Sequence, residues 1–190
     1  RAAMIVQNML SFARKGDSSP APADLSRLLE STIELAENDY DLKKKYDFRH
    51  VELVREYEEN VPEVPCNSSK IQQVFLNILR NGTEAMYESR KRTGKPEDPH
   101  FILRIKRENG YAVAEIEDNG PGIPKELKNH VFEPFFTTKE VGVGTGLGLS
   151  VSYFIIKENH GGELEVESKP GRYTRFIVRL PVEGKTNNGR

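Results

Sequence analysis

Apolar side chains recur along this chain with two periods, and the switch between them divides it into helices and strands. Residues 1–15, RAAMIVQNMLSFARK, place Ala2, Ile5, Val6, Met9, Phe12 and Ala13 at helical spacing, which predicts a helix. So short a helix is marginal alone and needs a partner helix, in this chain or in a second copy. Gly16 and the serine-, proline- and alanine-rich run at 17–23 predict a stop and a linker. Asp24 can cap a second helix whose stripe is Leu25, Leu28, Leu29, Thr32 and Ala36. VELVREY at 51–57 alternates as a half-buried strand, ended by Pro62 and Pro65. Ser68 or Ser69 caps a long helix running to about Ser89. Strands follow at 101–107 and 112–117 around Glu108-Asn109-Gly110, then a helix at 148–158, the turn Gly161-Gly162, and strands at 164–168 and 175–180. Hairpin-like connections with few crossovers predict a two-layer α/β sandwich, its sheet mixed but largely antiparallel, with helices on one face.

Length and composition narrow this picture only a little. With 190 residues, 36% hydrophobic and 30% charged, the chain suits one domain and a small appendage. A formal net charge of −1 gives no field that would steer it onto nucleic acid or an anionic membrane. The basic group Arg90, Lys91, Arg92 and Lys95 reads as the solvated end of the long helix. Cys66 is the single cysteine, which excludes an internal disulfide and a cysteine metal cluster and predicts an inert thiol. No run approaches the ~18 apolar residues of a membrane span, and no signal peptide is visible.

Two polar patterns carry the candidate chemistry. In the long helix Gln73, Asn77, Asn81 and Glu84 share one face, opposite Ile71, Val74, Phe75, Ile78, Leu79 and Met86. Asparagine disfavours helix interiors by roughly half a kcal/mol against alanine, so two of them one turn apart ask for a reason. Either that face is simply solvated, or Asn81 offers its amide oxygen to a hard cation such as magnesium. Downstream, the stretch 118–150 opens with Asp118, Gly120 and Gly122 and closes with four glycines, Gly142, Gly144, Gly146 and Gly148. An alternating glycine run entering a helix can wrap phosphate oxygens in backbone amides; by itself it can equally be a flexible surface loop. It lacks the Gly-Lys-Ser/Thr ending of a P-loop and the setting of a dinucleotide fold. Asp118, accepting only, suits the amine of adenine and repels the carbonyl of guanine; the alternative is an Asp-Asn-Gly turn.

Taken together, these residues resemble the GHKL superfamily of gyrase, Hsp90, histidine-kinase and mismatch-repair ATPases, and most closely the catalytic domain of bacterial sensor histidine kinases. QQVFLNILRNGTEAM at 72–86 is similar to the N box, DNGPGIP at 118–124 to the G1 box, FEPFFTTK at 132–139 to the F box, and GTGLGLS at 144–150 to the G2 box. The resemblance covers residues 24–182 and implies the Bergerat fold, ATP and Mg²⁺ as ligands, and a mobile lid. It makes Asn81 the metal ligand, Asn77 a support for the phosphates, and Asp118 the adenine contact. Gly120, Gly122 and Ile123 would shape the pocket floor, and Gly144, Thr145, Gly146, Leu147 and Gly148 would bring lid backbone to the phosphates. Thr174 matches a threonine that helps hold adenine, Lys139 would be either a phosphate partner or a solvated lid lysine, and Glu84 could reach the metal through water or merely face solvent. Tyr173 stands where the family has a second glycine, so the turn there is expected to differ. F-box and G2-box wording is most similar to the nitrogen-regulation and sporulation kinase branch.

In the superfamily's ATP hydrolases a glutamate precedes the metal asparagine by one turn and activates water. Asn77 holds that place here, and an amide cannot accept a proton at neutral pH, which favours a nucleophile from another domain. None of the four histidines is followed by an acidic residue, as the family's phosphoacceptor is; Val51, Phe101, Val131 and Gly161 follow them. His130 and His160 read as surface or capping residues. The resemblance therefore implies a dimerisation-helix remnant at 1–16, a linker at 17–23, the ATP-binding catalytic domain at 24–182 and a flexible tail at 183–190. The implied activity is protein-histidine kinase. The implied partners are a phosphoacceptor-histidine dimerisation domain, a response regulator and a second copy in a full-length homodimer. The expected location is cytoplasmic. Two competitors remain at this point, a serine kinase of the anti-sigma type and a nucleotide-sensing module that transfers nothing.

Overall fold

The computed structural model describes residues 19–38, 46, 48–93, 98–138 and 145–184. The expected helix at 1–15, Lys139, Gly144 and the tail from 185 lie outside the described residues. Strand β1 (Ala21–Ala23) is followed by helix α1 (Leu25–Asn38), a single 3-10 turn (Phe48–His50), β2 (Glu52–Tyr57), β3 (Val64–Cys66) and the long helix α2 (Ser68–Thr93). Next come β4 (His100–Glu108), β5 (Tyr111–Asp118), α3 (Gly148–Phe154) running into a π-helical turn (Ile155–Asn159), β6 (Glu163–Lys169) and β7 (Tyr173–Pro181).

Five strands form the main sheet in the order β2-β4-β5-β7-β6. β2 and β4 pair in parallel, as the crossover through α2 requires, and the other three pairings are antiparallel. The β4–β5 hairpin turns through Asn109 and Gly110, both at positive φ, which matches the twist of the flanking strands. The expected sandwich is thus present, with two differences at its edge. Ala21–Ala23, inside the stretch read as linker, pairs with β3, so Pro65 sits within a short strand instead of ending one. The cap of α2 is Asn67 and not a serine: its Oδ1 accepts the N–H of Lys70 at 3.1 Å.

Alternation along the strands assigns the two faces of the sheet. Phe101, Leu103 and Ile105, Ala112, Ala114 and Ile116, and Phe176, Val178 and Leu180 face the helices and form the core with Ile71, Val74, Phe75, Ile78 and Leu79 of α2. Asp24 caps α1 by accepting the N–H of Ser26 at 2.8 Å, and Leu25, Leu29, Thr32, Ile33 and Ala36 are its buried stripe. Glu30 on the outer side of α1 holds β2, binding Arg55 at 2.8 Å and the Tyr57 hydroxyl at 2.6 Å.

The other face of the sheet is a ladder of charge. Acidic residues of β2 (Glu56), β5 (Glu115, Glu117) and β6 (Glu165, Glu167) alternate, strand by strand, with basic residues of β4 (Arg104, Lys106) and β7 (Arg175, Arg179). This follows from placing like charges on every second strand of the observed order. Its centre is Glu115, 5% exposed, with Lys106 Nζ at 2.8 Å. Cys66 is buried, and burial pushes its thiol up to about 11, away from the thiolate form.

Candidate functional site

The site grows from the polar face of α2. Gln73 on that face is exposed, while Asn77, Asn81 and Glu84 are half-buried. Asn77 does not point at solvent. Its Nδ2 donates to the carbonyl oxygen of Gly148 at 3.1 Å and to Ser152 Oγ at 3.2 Å, and Ser152 Oγ in turn donates to Gly148 at 2.9 Å. Both amide protons are thereby used to hold the first turn of α3. Glu84 lies close enough to Tyr46 for its charge to act there. Burial and the carboxylates of Glu88 and Glu84 push that phenol up to about 12, and its hydroxyl donates to Glu88.

One residue beyond Asn81, Gly82 makes the junction with the sheet. A Cβ at Gly82 would lie 2.6 Å from the Phe101 ring and 3.2 Å from the Cβ of Asp118. Glycine in a helix interior costs about 1 kcal/mol against alanine, and here it lets α2 rest against the end of β5. The asparagine face and the buried acid are therefore neighbours, on the same side of the molecule. That glycine was the one missed residue whose cost in a helix signalled it in the sequence.

Asp118 is 4% exposed. Its Oδ1 accepts the N–H of Gly120 at 2.9 Å, and the N–H of Thr174 also donates to its carboxylate. Burial outweighs both and, with a smaller contribution from the Glu117 charge, pushes its carboxyl up to about 7. Asp118 and Thr174 are register partners across β5 and β7, so the pair is set by the sheet and not by any loop.

The G1 segment is strapped to the β6–β7 turn. Ser168 Oγ accepts the N–H of Ile123 at 2.7 Å and donates to the carbonyl of Tyr173 at 2.7 Å, with Thr174 Oγ1 3.3 Å away. Gly171 N–H donates to Pro121 at 2.7 Å. Gly122 has φ +69°, and a Cβ on it would lie 2.4 Å from the Lys169 carbonyl oxygen, so only glycine fits. Tyr173 in place of a glycine leaves the strand intact, since Gly171 makes the turn and Tyr173 pairs with Lys169. Ser168 gave no sequence signal beyond its place in a strand.

The F box clips the glycine-rich run from the other side. Phe135 N–H donates to the Gly146 carbonyl at 2.9 Å, and a Cβ at Gly146 would lie 2.4 Å from the carbonyl carbon of Phe135. Thr145 is exposed, and its Oγ1 is 3.4 Å from the Leu147 N–H. Leu147 is the N-cap of α3, with no side-chain cap hydrogen bond. Asn77, Asn81, Asp118, Gly120, Gly122, Ile123, Gly146, Leu147, Gly148 and Thr174 thus belong to one connected region, while Lys139 and Gly144 lie outside the described residues.

Among the described residues no group of three or more His, Cys, Asp or Glu could hold a metal ion. The donor chemistry is that of a neutral amide at Asn81 with a carboxylate one turn on. Such a set fits magnesium carried mainly by phosphate and water oxygens, and does not fit a protein-built metal cage. No helix among the described residues is long and apolar enough to cross a membrane.

Residues 66–184 match the family model described as histidine kinase-, DNA gyrase B-, and HSP90-like ATPase. Sensor kinase CckA of Brucella abortus is 34% identical over 187 residues, 95% of this chain and 19% of that protein. Sporulation kinase E of Bacillus subtilis is 31% identical over 96% of this chain and 22% of its own length. The sensory histidine kinase/phosphatase NtrB of Klebsiella oxytoca is 38% identical over 70% of this chain and 38% of its own. The chain therefore spans well under half the length of these relatives. The solved catalytic domain of histidine kinase ThkA superposes with a TM-score of 0.68 at 28% identity, covering 86% of this chain and 95% of that one. ThkA in complex with response regulator protein TrrA has a TM-score of 0.71 at 24% identity, covering 96% and 47%, a likeness of fold. Read together with an asparagine-bearing helix set against a buried aspartate, these matches place the chain in the family of histidine kinase-, DNA gyrase B- and HSP90-like ATPases, alongside the ATP-binding domains of sensor histidine kinases.

Proposed function

We infer that this domain binds ATP with Mg²⁺ and presents the γ-phosphate to a histidine on a separate dimerisation domain, for relay to a response regulator. Ionised Asp118 would accept from the adenine amine, with Thr174 beside it and Gly120 and Gly122 as the floor. Asn81 would hold the metal ion, and Lys139 and the backbone of Gly144–Gly148 would meet the phosphates. When bound, magnesium would supply neutralisation of the triphosphate charge. The chain's own residues would orient the nucleotide and hold its terminal phosphate in line with an incoming imidazole. Phosphoryl transfer draws most of its acceleration from such positioning and charge stabilisation.

One observation favours a transferase over a hydrolase. At the place where a hydrolase needs a base, Asn77 has both amide protons committed to Gly148 and Ser152. It is a strut with no proton-accepting role, so the acceptor is best supplied from outside. The ThkA complex with a response regulator supports the relay, which a full-length homodimer would perform in the cytoplasm.

The test mixes the chain with a purified histidine-bearing dimerisation domain, Mg²⁺ and γ-labelled ATP. Acid-labile phosphate on the dimerisation domain, absent with Asn81→Ala, is the expected result. Acid-stable phosphoserine would point to an anti-sigma type of kinase, and binding without transfer to a sensing module; either overturns the reading.

A further inference from the structure

His160 closes the π-helical turn that continues α3 and is 6% exposed. Its Nε2 accepts the backbone N–H of Asn67 at 3.0 Å, and its Nδ1 is 2.8 Å from the carbonyl oxygen of Ile155. A backbone amide only donates and a carbonyl only accepts. The ring is therefore neutral, with its proton on Nδ1. Both of its partners matter to the site. Asn67 is the cap of α2, holding the Lys70 N–H and accepting from Ile71 N–H through its own carbonyl at 3.0 Å. Ile155 opens the π-helical turn, a rare geometry that recurs at functional sites and sets which side chain meets the cap.

The imidazole is the second of two junctions between the same two helices. The first is Asn77 with Gly148 and Ser152, at the opposite end of α3. α3 consequently runs antiparallel to α2, and the junctions stand about 15 Å apart along α2. Beyond the apolar packing of Ile155 and Ile156, a single hydrogen-bonded junction fixes one point of contact between the helices. Two, at separate points, fix both its rotation and its slide.

We propose that His160 is a positioning residue for the triphosphate end of the site, holding α3 in the register that keeps Gly148 over Asn77 without itself touching nucleotide. This rests on the nucleotide reading above. The adenine end is built on the sheet from Asp118, Gly120, Ser168 and Thr174, whereas the bonds to Asn67 and Ile155 tie the imidazole to the two helices. Loss of His160 therefore falls on the phosphates and spares the base.

The experiment compares ATP–Mg²⁺ binding by calorimetry with adenosine binding by NMR titration, in wild type, His160→Phe and His160→Gln. Phenylalanine keeps the volume and removes both hydrogen bonds; glutamine restores an acceptor for Asn67. The expected result is a tenfold or greater loss of ATP affinity in His160→Phe, adenosine affinity within twofold of wild type, and recovery of most of the loss in His160→Gln. Circular dichroism checks the fold, and if His160→Phe does not fold, His160→Asn, which keeps only the donor to Ile155, takes its place. Unchanged ATP affinity, or equal loss of ATP and adenosine, would overturn the role. Wild type that binds neither compound would instead remove the nucleotide reading on which it rests.

Discussion

Asn77 and Gly148, far apart in sequence, meet at 3.1 Å, with the amide of the first donating to the carbonyl of the second. The bond spans the two halves of the site, joining the N-box helix to the start of the helix behind the glycine-rich run. Asn77→Asp keeps the shape but sets a carboxylate oxygen against the Gly148 carbonyl, acceptor against acceptor. It is expected to cost about 1–3 kcal/mol in urea unfolding and to weaken ATP–Mg²⁺ binding at the same time. An unshifted urea midpoint would remove the strut.

The carboxyl of Asp118, raised by burial from its ordinary 3.8 to about 7, makes both binding and stability depend on pH. The proposed adenine contact requires the ionised form, so ATP affinity is expected to fall as pH drops through about 7, approaching tenfold per unit. The sign for the ligand-free protein is opposite. Its raised folded pKa means a contribution to stability that is complete below 3.8 and lost as pH rises through about 7. Asp118→Asn removes that loss, and its melting temperature should gain more over wild type at pH 8 than at pH 4, by several degrees. An equal gain at both values would show that this carboxyl does not titrate there.

Gly122 and Gly171 both take positive φ, at +69° and +77°, but differ in surroundings. A Cβ at Gly171 meets nothing within 4 Å, whereas one at Gly122 meets the Lys169 carbonyl oxygen at 2.4 Å. Gly171→Ala should therefore lose only the backbone preference, about 1–2 kcal/mol. Gly122→Ala should lose more, because backbone must move, and should weaken adenosine binding as well. Calorimetric melting of the two variants side by side reads the difference, and equal losses would deny the contact any weight.

Glu115 sits at the middle of the charged face with Lys106 at 2.8 Å and both Arg104 and Arg175 at 3.7 Å. Glu115→Gln leaves these cations facing one another across a largely covered position, and is expected to cost about 1–3 kcal/mol. Glu165→Gln, where the carboxylate is exposed although its partner Arg179 is largely covered, keeps an acceptor for the guanidinium and should cost less, about 1 kcal/mol, in a salt-dependent way. Urea titrations in low and high salt check both. A larger effect at Glu165 would contradict the burial argument.

Much of the fold was legible because its signals are local. The 3.6-residue stripe of α1, the apolar side of α2 and the alternation of β4 and β5 each follow from residues close in sequence; they stand close to where expected, with Ile33 joining the α1 stripe and Leu28 at its half-buried edge. The edge was less legible. β1 and β3 carry Ala-Pro-Ala and Val-Pro-Cys, and proline in a short run reads as a stop; they become strands only because each supplies the other's partner. α3 reads as one helix, yet its end is π-helical, where the His160 side chain bonds back to Ile155 and across to Asn67.

The candidate site divides in the same way. The order of the motifs that resemble the N, G1, F and G2 boxes, Asn77 one turn before Asn81, and Asp118, the acid proposed for adenine, are all readable in the linear chain. Residue types and spacing fix such chemistry, since periodicity is enough to put two asparagines on one helical face. Tertiary structure alone decided that Gly82 lets that face touch Asp118, that Thr174 stands across the sheet from it, and that Ser168 straps Ile123 in place. It also decided the alternating charges, which exist only in the strand order β2-β4-β5-β7-β6. These contacts join residues distant in the chain, and their pairing is selected by the joint packing of helices on a twisted sheet, which no local window of sequence contains.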